Sequence, residues 1–237
     1  MARTLIEQAD PRERSQAVFV AASSLERHVR LTGQAGEVTN MGTFRMTLGH
    51  ILSIADWTET LTPTTWPKVF SWPLWMSRLS ASIALASVAG RLLERGDEKD
   101  AQISAARAFD LARSAFPYAM GFYPPEAARA MTAVSYTACA AATTCRRAGD
   151  IAEATEILEW ALSVLRFRRW DLTALRLPVV TLRALQFLAT EQPEPAFDLL
   201  SSEMRTRGFR RLRAESEERI QAERILAEAR QLIQERA

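Results

Sequence analysis

Two joints with the same residue order constrain the fold of this chain more than any other feature. Leu93-Glu94-Arg95-Gly96-Asp97 and Arg146-Arg147-Ala148-Gly149-Asp150 each place a glycine directly before an aspartate, between two stretches rich in helix-forming residues. Glycine adopts the left-handed conformation that ends a helix, and aspartate accepts hydrogen bonds from the free amides at the start of the next helix. Each joint therefore predicts two antiparallel helices connected by a tight turn.

Small residues recur at a fixed distance across these joints. At both, an alanine in the first helix lies twelve residues before an alanine in the second, and the same spacing crosses a third candidate joint at 191–195. Two helices approach closely where both carry small side chains. The spacing predicts three helical hairpins, with the pairs Ala89/Ala101, Ala142/Ala154 and Ala184/Ala196.

The rest of the chain is also helical in pattern. Ala, Leu, Arg and Glu dominate, and the alternation typical of strands is missing. Prolines and glycines divide the chain into predicted helices at 12–31, 40–57, 64–71, 73–95, 98–116, 124–148, 150–168, 171–191, 194–206 and 209–236. The predicted fold class is all-α, built from stacked antiparallel helical hairpins.

The middle hairpin resembles a tetratricopeptide repeat. The segment Gly149-Asp150-Ile151-Ala152-Glu153-Ala154, followed by Leu158 and Ala161-Leu162, is similar to the turn and second helix of that family, and the resemblance covers about residues 80–206. It implies an α-solenoid whose first helices line a groove for a segment of a partner protein. The groove residues that it implies are Glu94, Tyr136, Cys139, Thr143, Arg146, Arg147 and Thr181. Because an arginine fork pairs well with a carboxylate, Arg146 and Arg147 favour an acidic segment.

We expect one all-α domain over 1–237 with three parts. Residues 1–78 do not repeat the hairpin pattern and are predicted to form a helical cap with a Trp-rich connection, 79–206 form the hairpin repeats, and 207–237 form an amphipathic helix. A stack of hairpins needs caps, since its terminal units would otherwise expose apolar faces. The ragged apolar stripe of the last helix favours packing on the hairpins over a coiled coil. A homo-oligomer through this helix stays open.

Two arginine clusters support an alternative function. Arg166-Phe167-Arg168-Arg169-Trp170 with Arg176, and five arginines around Gly208-Phe209 within 205–213, would suit a nucleic-acid-associated regulatory protein. They could equally bind an acidic protein segment, or complement the carboxyl ends of helices. The whole chain has 30 Lys+Arg against 28 Asp+Glu, a net charge of +2 that does not by itself indicate nucleic acid.

A further alternative rests on the tryptophans between Trp57 and Trp75. Aromatic side chains at this density, here Trp57, Trp66, Phe70, Trp72 and Trp75, could line a pocket for an apolar ligand or the active site of an enzyme. They could also form an interface, or fill the seam between the cap and the repeats. The sequence does not decide among these roles.

Catalytic motifs give no support for an enzyme. His28 and His50 are the sole imidazoles and have no adjacent nucleophile, and a phosphate loop and a dinucleotide fingerprint are both missing. Cys139 and Cys145, six apart on a helix, lie beyond disulfide reach, and two thiols alone rarely bind a metal. We therefore expect a non-catalytic interaction or assembly module with no cofactor, no metal and no membrane span. Its expected compartment is the cytoplasm, because unpaired thiols suit reducing conditions.

Overall fold

The computed structural model describes residues 11–34, 41–60, 68–120, 124–166 and 171–236. Within these ranges all regular secondary structure is helical, which confirms the all-α fold class. The helices are α1 (Pro11–Gln34), α2 (Met41–Thr60), α3 (Lys68–Glu94), α4 (Glu98–Ala119), α5 (Pro124–Arg147), α6 (Ile151–Val164), α7 (Thr173–Ala189), α8 (Pro193–Met204), α9 (Arg207–Arg211) and α10 (Glu217–Arg236). Among them, none is long and apolar enough to cross a membrane.

The three predicted hairpin joints share one backbone geometry. At the first, the amide of Asp97 donates to the carbonyl of Leu92 at 2.9 Å, and Gly96, with φ of 82°, donates to Leu93 at 3.2 Å. This pattern is the Schellman motif that closes a helix. The second joint repeats it around Gly149, with φ of 84°, and there the Asp150 carboxylate accepts from the amide of Glu153 at 3.0 Å, as predicted. The same prediction is wrong for Asp97, whose side chain makes no capping hydrogen bond.

The third joint reaches the same geometry without glycine. Glu191 takes the left-handed position with φ of 58°, and the amide of Gln192 donates to the carbonyl of Phe187 at 2.8 Å. The α10 residue Arg236 donates to the carbonyl of Glu191 at 2.8 Å. A helix that is distant in sequence thus holds the joint in a conformation that glutamate adopts at some cost.

The chain forms two compact units, Met1–Ala140 and Ala141–Ala237, which divide within α5. In the first unit α3 packs against α1, α2 and α4. Nearly every side chain of α3 from Leu74 to Ala89 is buried, because the helix has apolar or small residues on all its faces. The apolar faces of α1 and α2 contribute Val18, Val29, Ile51 and Ala55 to the same core.

In the second unit α7 is the central helix and packs against α6, α8, α9 and α10. The last helix therefore lies on the hairpin helices of this unit, the arrangement that the sequence favoured over a coiled coil. Its buried residues are Ala222, Ile225 and Ala229. In both units the predicted alanine pairs are fully buried, since all six residues have 0% exposure.

Two predicted divisions between helices are wrong, and the helix predicted over 150–168 ends earlier, at Val164. Pro73 does not start a new helix, because it lies inside α3, which begins at Lys68. A proline removes one backbone hydrogen bond, and burial of Leu74 and Trp75 directly after it offsets that loss. The part of the predicted helix 64–71 before Lys68 lies outside the described residues.

The predicted continuous helix 209–236 is in fact two helices. α9 ends at Arg211, the next residue Leu212 has the extended angles φ −64° and ψ 142°, and α10 begins at Glu217. Arg219 holds the break, since its Nη1 donates to the carbonyl of Leu212 at 3.2 Å and its guanidinium lies 5.2 Å from the centre of the Phe209 ring. A local helical pattern does not reveal this tertiary contact.

Candidate binding cleft

A cleft of about 340 Å³ opens in the first unit between the first helices of successive pairs. α1 and α2 form one pair, α3 and α4 the next, and α5 begins the third. The lining residues come from α1, α3 and α5 and are Glu26, Ile83, Ser87, Arg129, Thr132 and Tyr136. First helices line the groove in the repeats that the middle hairpin resembles, and here they line the cleft.

An ion pair lies within the cleft. Nη2 of Arg129 binds Oε2 of Glu26, whose side chain is only 7% exposed, and donates to Oγ of Ser80 at 2.8 Å. Glu26 and Ser80 are both buried, so the pair links α1, α3 and α5 below the surface. The Nε–H of Arg129 is buried without a hydrogen-bond partner among the described residues. Because the two charges cancel, the cleft has little net charge of its own.

The rim of the cleft is exposed and carries a tyrosine. Tyr136 is 46% exposed, and its hydroxyl lies 3.2 Å from Oγ of Ser87 on α3. Thr132, one turn earlier on α5, is also exposed, whereas Ile83 is buried. A ring with one apolar face and a polar tip is the kind of side chain that anchors protein interfaces.

Of the residues predicted to line a groove, Tyr136 lies in this cleft. Cys139 follows on α5 and is half-buried, as is Thr143, while Arg146 and Arg147 occupy the last turn of that helix, half-buried and exposed respectively. Glu94 is the exposed last residue of α3, and Thr181 is buried in α7 with a hydroxyl that has no hydrogen-bond partner among the described residues. A binding role for these residues stays a prediction.

Five cleft residues were not predicted, although one signal in the sequence could have indicated Arg129. It is a lone charge in the run Ala127-Ala128-Arg129-Ala130-Met131, whose neighbours suit a buried helix face. A charge in such a position generally needs a partner. That the partner is Glu26, more than a hundred residues earlier, depends on tertiary packing.

The two cysteines are free thiols. Burial raises the pKa of Cys139 to about 12. Burial, reinforced by the charge of Glu153, raises the pKa of Cys145 to about 11. The thiolate is the reactive form, so both thiols are poor nucleophiles at neutral pH. His28 and His50 are exposed on α1 and α2, and the described residues contain no cluster that could hold a metal ion.

The described part of the tryptophan region belongs to the core of the first unit. Trp75 is buried and stacks on Tyr118 with ring centres 3.9 Å apart, and Trp57 packs against the main apolar cluster. Arg78 lies over the Trp75 ring and donates to the carbonyl of Thr58 at 3.0 and 2.6 Å. Burial lowers the pKa of this guanidinium. Trp66 and the side chains of Phe70 and Trp72 lie outside the described residues.

The two arginine clusters differ in their contacts. Arg176 pairs with the buried Glu203, with Nη2 donating at 2.9 Å, and therefore stabilises the second unit. Residues 167–170 lie outside the described part of the chain. The five arginines of the second cluster, at positions 205, 207, 210, 211 and 213, are all exposed.

No protein-family model matches the chain, and no curated protein matches it. Among solved structures, it is similar to the crystal structure of the de novo designed helical repeat protein DHR64, with 20% sequence identity and a TM-score of 0.40, over 95% of this chain and 96% of that one. The all-α fold class follows from the helices described above, and the likeness to tetratricopeptide repeats stays a resemblance.

Proposed function

We propose that this protein is a non-catalytic interaction module that binds a segment of a partner protein in the cleft of the first unit. The observation that carries the proposal is the convergence of three first helices on an open cleft with an exposed tyrosine at its rim. A volume of about 340 Å³ lies at the lower end of the range for ligand sites. It suits one or two side chains of a docked segment better than a cofactor.

The charges of the cleft define what its occupant should carry. Since Glu26 neutralises Arg129, an acidic side chain would gain little there and would lose its hydration. Ile83 and the Tyr136 ring favour an aliphatic side chain, while Ser87, Thr132 and the Tyr136 hydroxyl can hydrogen-bond to its flanking backbone. The segment for this cleft is therefore uncharged at its centre. We do not expect this cleft to bind the acidic segment that the sequence favoured at Arg146 and Arg147.

A capture experiment with the full chain tests the proposal. Thr132→Arg places a long charged side chain at the rim and should lower partner capture from a cell extract by at least about tenfold, because it obstructs entry of the partner's anchoring side chain into the cleft. The matched control is Met46→Arg, at a position on α2 that is 61% exposed and outside the cleft lining. Circular dichroism shows whether both variants fold. Equal capture by the two variants would refute the cleft as the binding site.

A further inference from the structure

We propose that a second docking surface, for a short acidic segment of a partner protein, is formed by the arginine turn, defined as Arg205, Arg207, Arg210, Arg211 and Arg213. All five side chains are exposed within nine residues of chain. Glu203, the carboxylate just before the turn, is buried and pairs with Arg176, so it does not neutralise them. Glu215, just after the turn, is exposed and, among the described residues, makes no ion pair with the five arginines. The one ion pair of the turn with the described residues joins Arg211 to Asp171 at 3.8 Å.

Helix capping does not account for these arginines. Cations at a carboxyl-terminal end of a helix can bind its free carbonyls. Within the described residues one of the five does so, since Nη2 of Arg210 donates to the carbonyl of Arg205 at 3.4 Å. Arg207 and Arg213 donate no hydrogen bond to any described residue. Most of the guanidinium donors therefore face solvent.

The backbone beneath the arginine turn is held in place. Thr206 accepts a hydrogen bond from the amide of Phe209 at 3.2 Å, and the Phe209 ring is buried beside Arg219. Gly208 packs so tightly that an added Cβ would lie 2.0 Å from Oγ1 of Thr173. A fixed backbone presents the guanidinium groups with less loss of conformational entropy on binding than a mobile loop would.

The surroundings favour an acidic peptide over nucleic acid. Proteins that bind single strands stack bases on exposed aromatic rings, whereas the aromatic ring of this turn, Phe209, is 4% exposed. Glu215, Glu217 and Glu218 are exposed immediately after the turn and would repel a long polyanion. A short run of carboxylates needs no exposed aromatic ring and is short enough to avoid these glutamates. Arginine forks bind carboxylates through paired hydrogen bonds.

Fluorescence anisotropy with the full chain tests this surface. The probe is a labelled peptide that alternates glutamate and alanine, with a glutamine–alanine peptide and an oligothymidine of equal charge as comparisons. Arg207→Gln/Arg213→Gln should weaken binding of the glutamate peptide about fivefold, as expected for two exposed charge pairs. Neither side chain donates a hydrogen bond within the described residues, so the fold should be retained.

The matched control is Arg146→Gln/Arg147→Gln, which changes the net charge equally at the site that the sequence favoured for an acidic segment. It should leave the affinity for the glutamate peptide unchanged. Equal affinity for the glutamate and glutamine peptides would overturn the proposal, as would tighter binding of oligothymidine. A larger loss in the control than in Arg207→Gln/Arg213→Gln would move the acidic site to α5 and also overturn it.

Discussion

Gly208 lies where a side chain has no room. A Cβ at this position would approach Oγ1 of Thr173 to 2.0 Å and Oδ1 of Asp171 to 2.1 Å. We expect Gly208→Ala to lower the free energy of unfolding by about 1–3 kcal/mol through overpacking, measured by urea denaturation. The control is Gly90→Ala in α3, where a Cβ meets nothing within 4 Å. That variant should gain about 0.5–1 kcal/mol from higher helix propensity, and equal behaviour of the two would contradict the contact.

At Glu191 we expect a substitution to raise the free energy of unfolding. It occupies the left-handed position that glycine holds at the other two joints, and a non-glycine residue there loses roughly 1–2 kcal/mol. Glu191→Gly should therefore raise the free energy of unfolding by about 1 kcal/mol, measured by thermal and chemical denaturation. The bond from Arg236 to the main-chain carbonyl is kept. The exposed ion pair of Arg236 with the Glu191 carboxylate at 3.9 Å is lost, but a surface pair of this kind contributes little. As the control, Gly149→Ala at the equivalent position of the second joint should lower the free energy of unfolding. If Glu191→Gly also lowered it, the Glu191 side chain itself would be shown to hold the joint.

At the scale of helices, the small residues at the joints set how closely neighbouring elements approach. Ala142 in α5 and Ala154 in α6 are both 0% exposed. Ala142→Leu should overpack this hairpin and lower the free energy of unfolding by about 1–3 kcal/mol. The measurement is the melting temperature, and the control is Ala148→Leu, at an exposed position of the same joint. An unchanged melting temperature for Ala142→Leu would contradict the hairpin register.

Local signals predicted most of the elements. The Gly-Asp joints and the alanine spacing are short-range patterns, so the hairpin helices and their buried small residues could be deduced from the sequence. Pro73 and the break after Leu212 were misjudged because packing of Trp75 and the contact of Arg219 decide them, and both act across the tertiary structure. Glu191 gave no signal of its left-handed conformation.

The candidate cleft was less predictable than the helices. Tyr136 was found because it lies on the first helix of the hairpin with the clearest repeat pattern. Glu26 and Arg129 pair over a long separation in sequence, and neither residue alone reveals the other. Ile83 and Ser87 look like core residues of α3, and only packing leaves them beside an opening.

At the scale of the whole molecule, many arginines stabilise the folded units. Arg183 binds Glu159 and Thr155, and Arg107 binds Asp56 and Glu59. Although the net charge of the chain is only +2, its charged side chains are distributed unevenly over the surface. In the second unit the arginine turn contributes exposed positive charge, whereas the cleft of the first unit contains a cancelled pair. We therefore expect the two surfaces to bind different partner segments.

The last helix is an integral part of the second unit, and two isoleucines on it test this. Ile225 is 3% exposed and Ile220 is 54% exposed. Ile225→Glu should lower the free energy of unfolding by about 3 kcal/mol or more, because it buries an unpaired charge. It should also promote aggregation. Ile220→Glu should change stability by less than about 0.5 kcal/mol. Calorimetry and light scattering measure both effects. Equal tolerance of the two substitutions would show that α10 does not depend on its packing against α7 and α8.

The central claim is that the cleft of the first unit receives a partner segment. Site-specific photocross-linking tests it most directly, with p-benzoylphenylalanine placed at position 132 at the cleft rim or, as the control, at position 46 on the exposed side of α2. In extracts of the source cells, we expect a discrete covalent adduct from position 132 that Tyr136→Ala diminishes, and none from position 46. An adduct from position 46 alone, or one from position 132 that is indifferent to Tyr136→Ala, would contradict it.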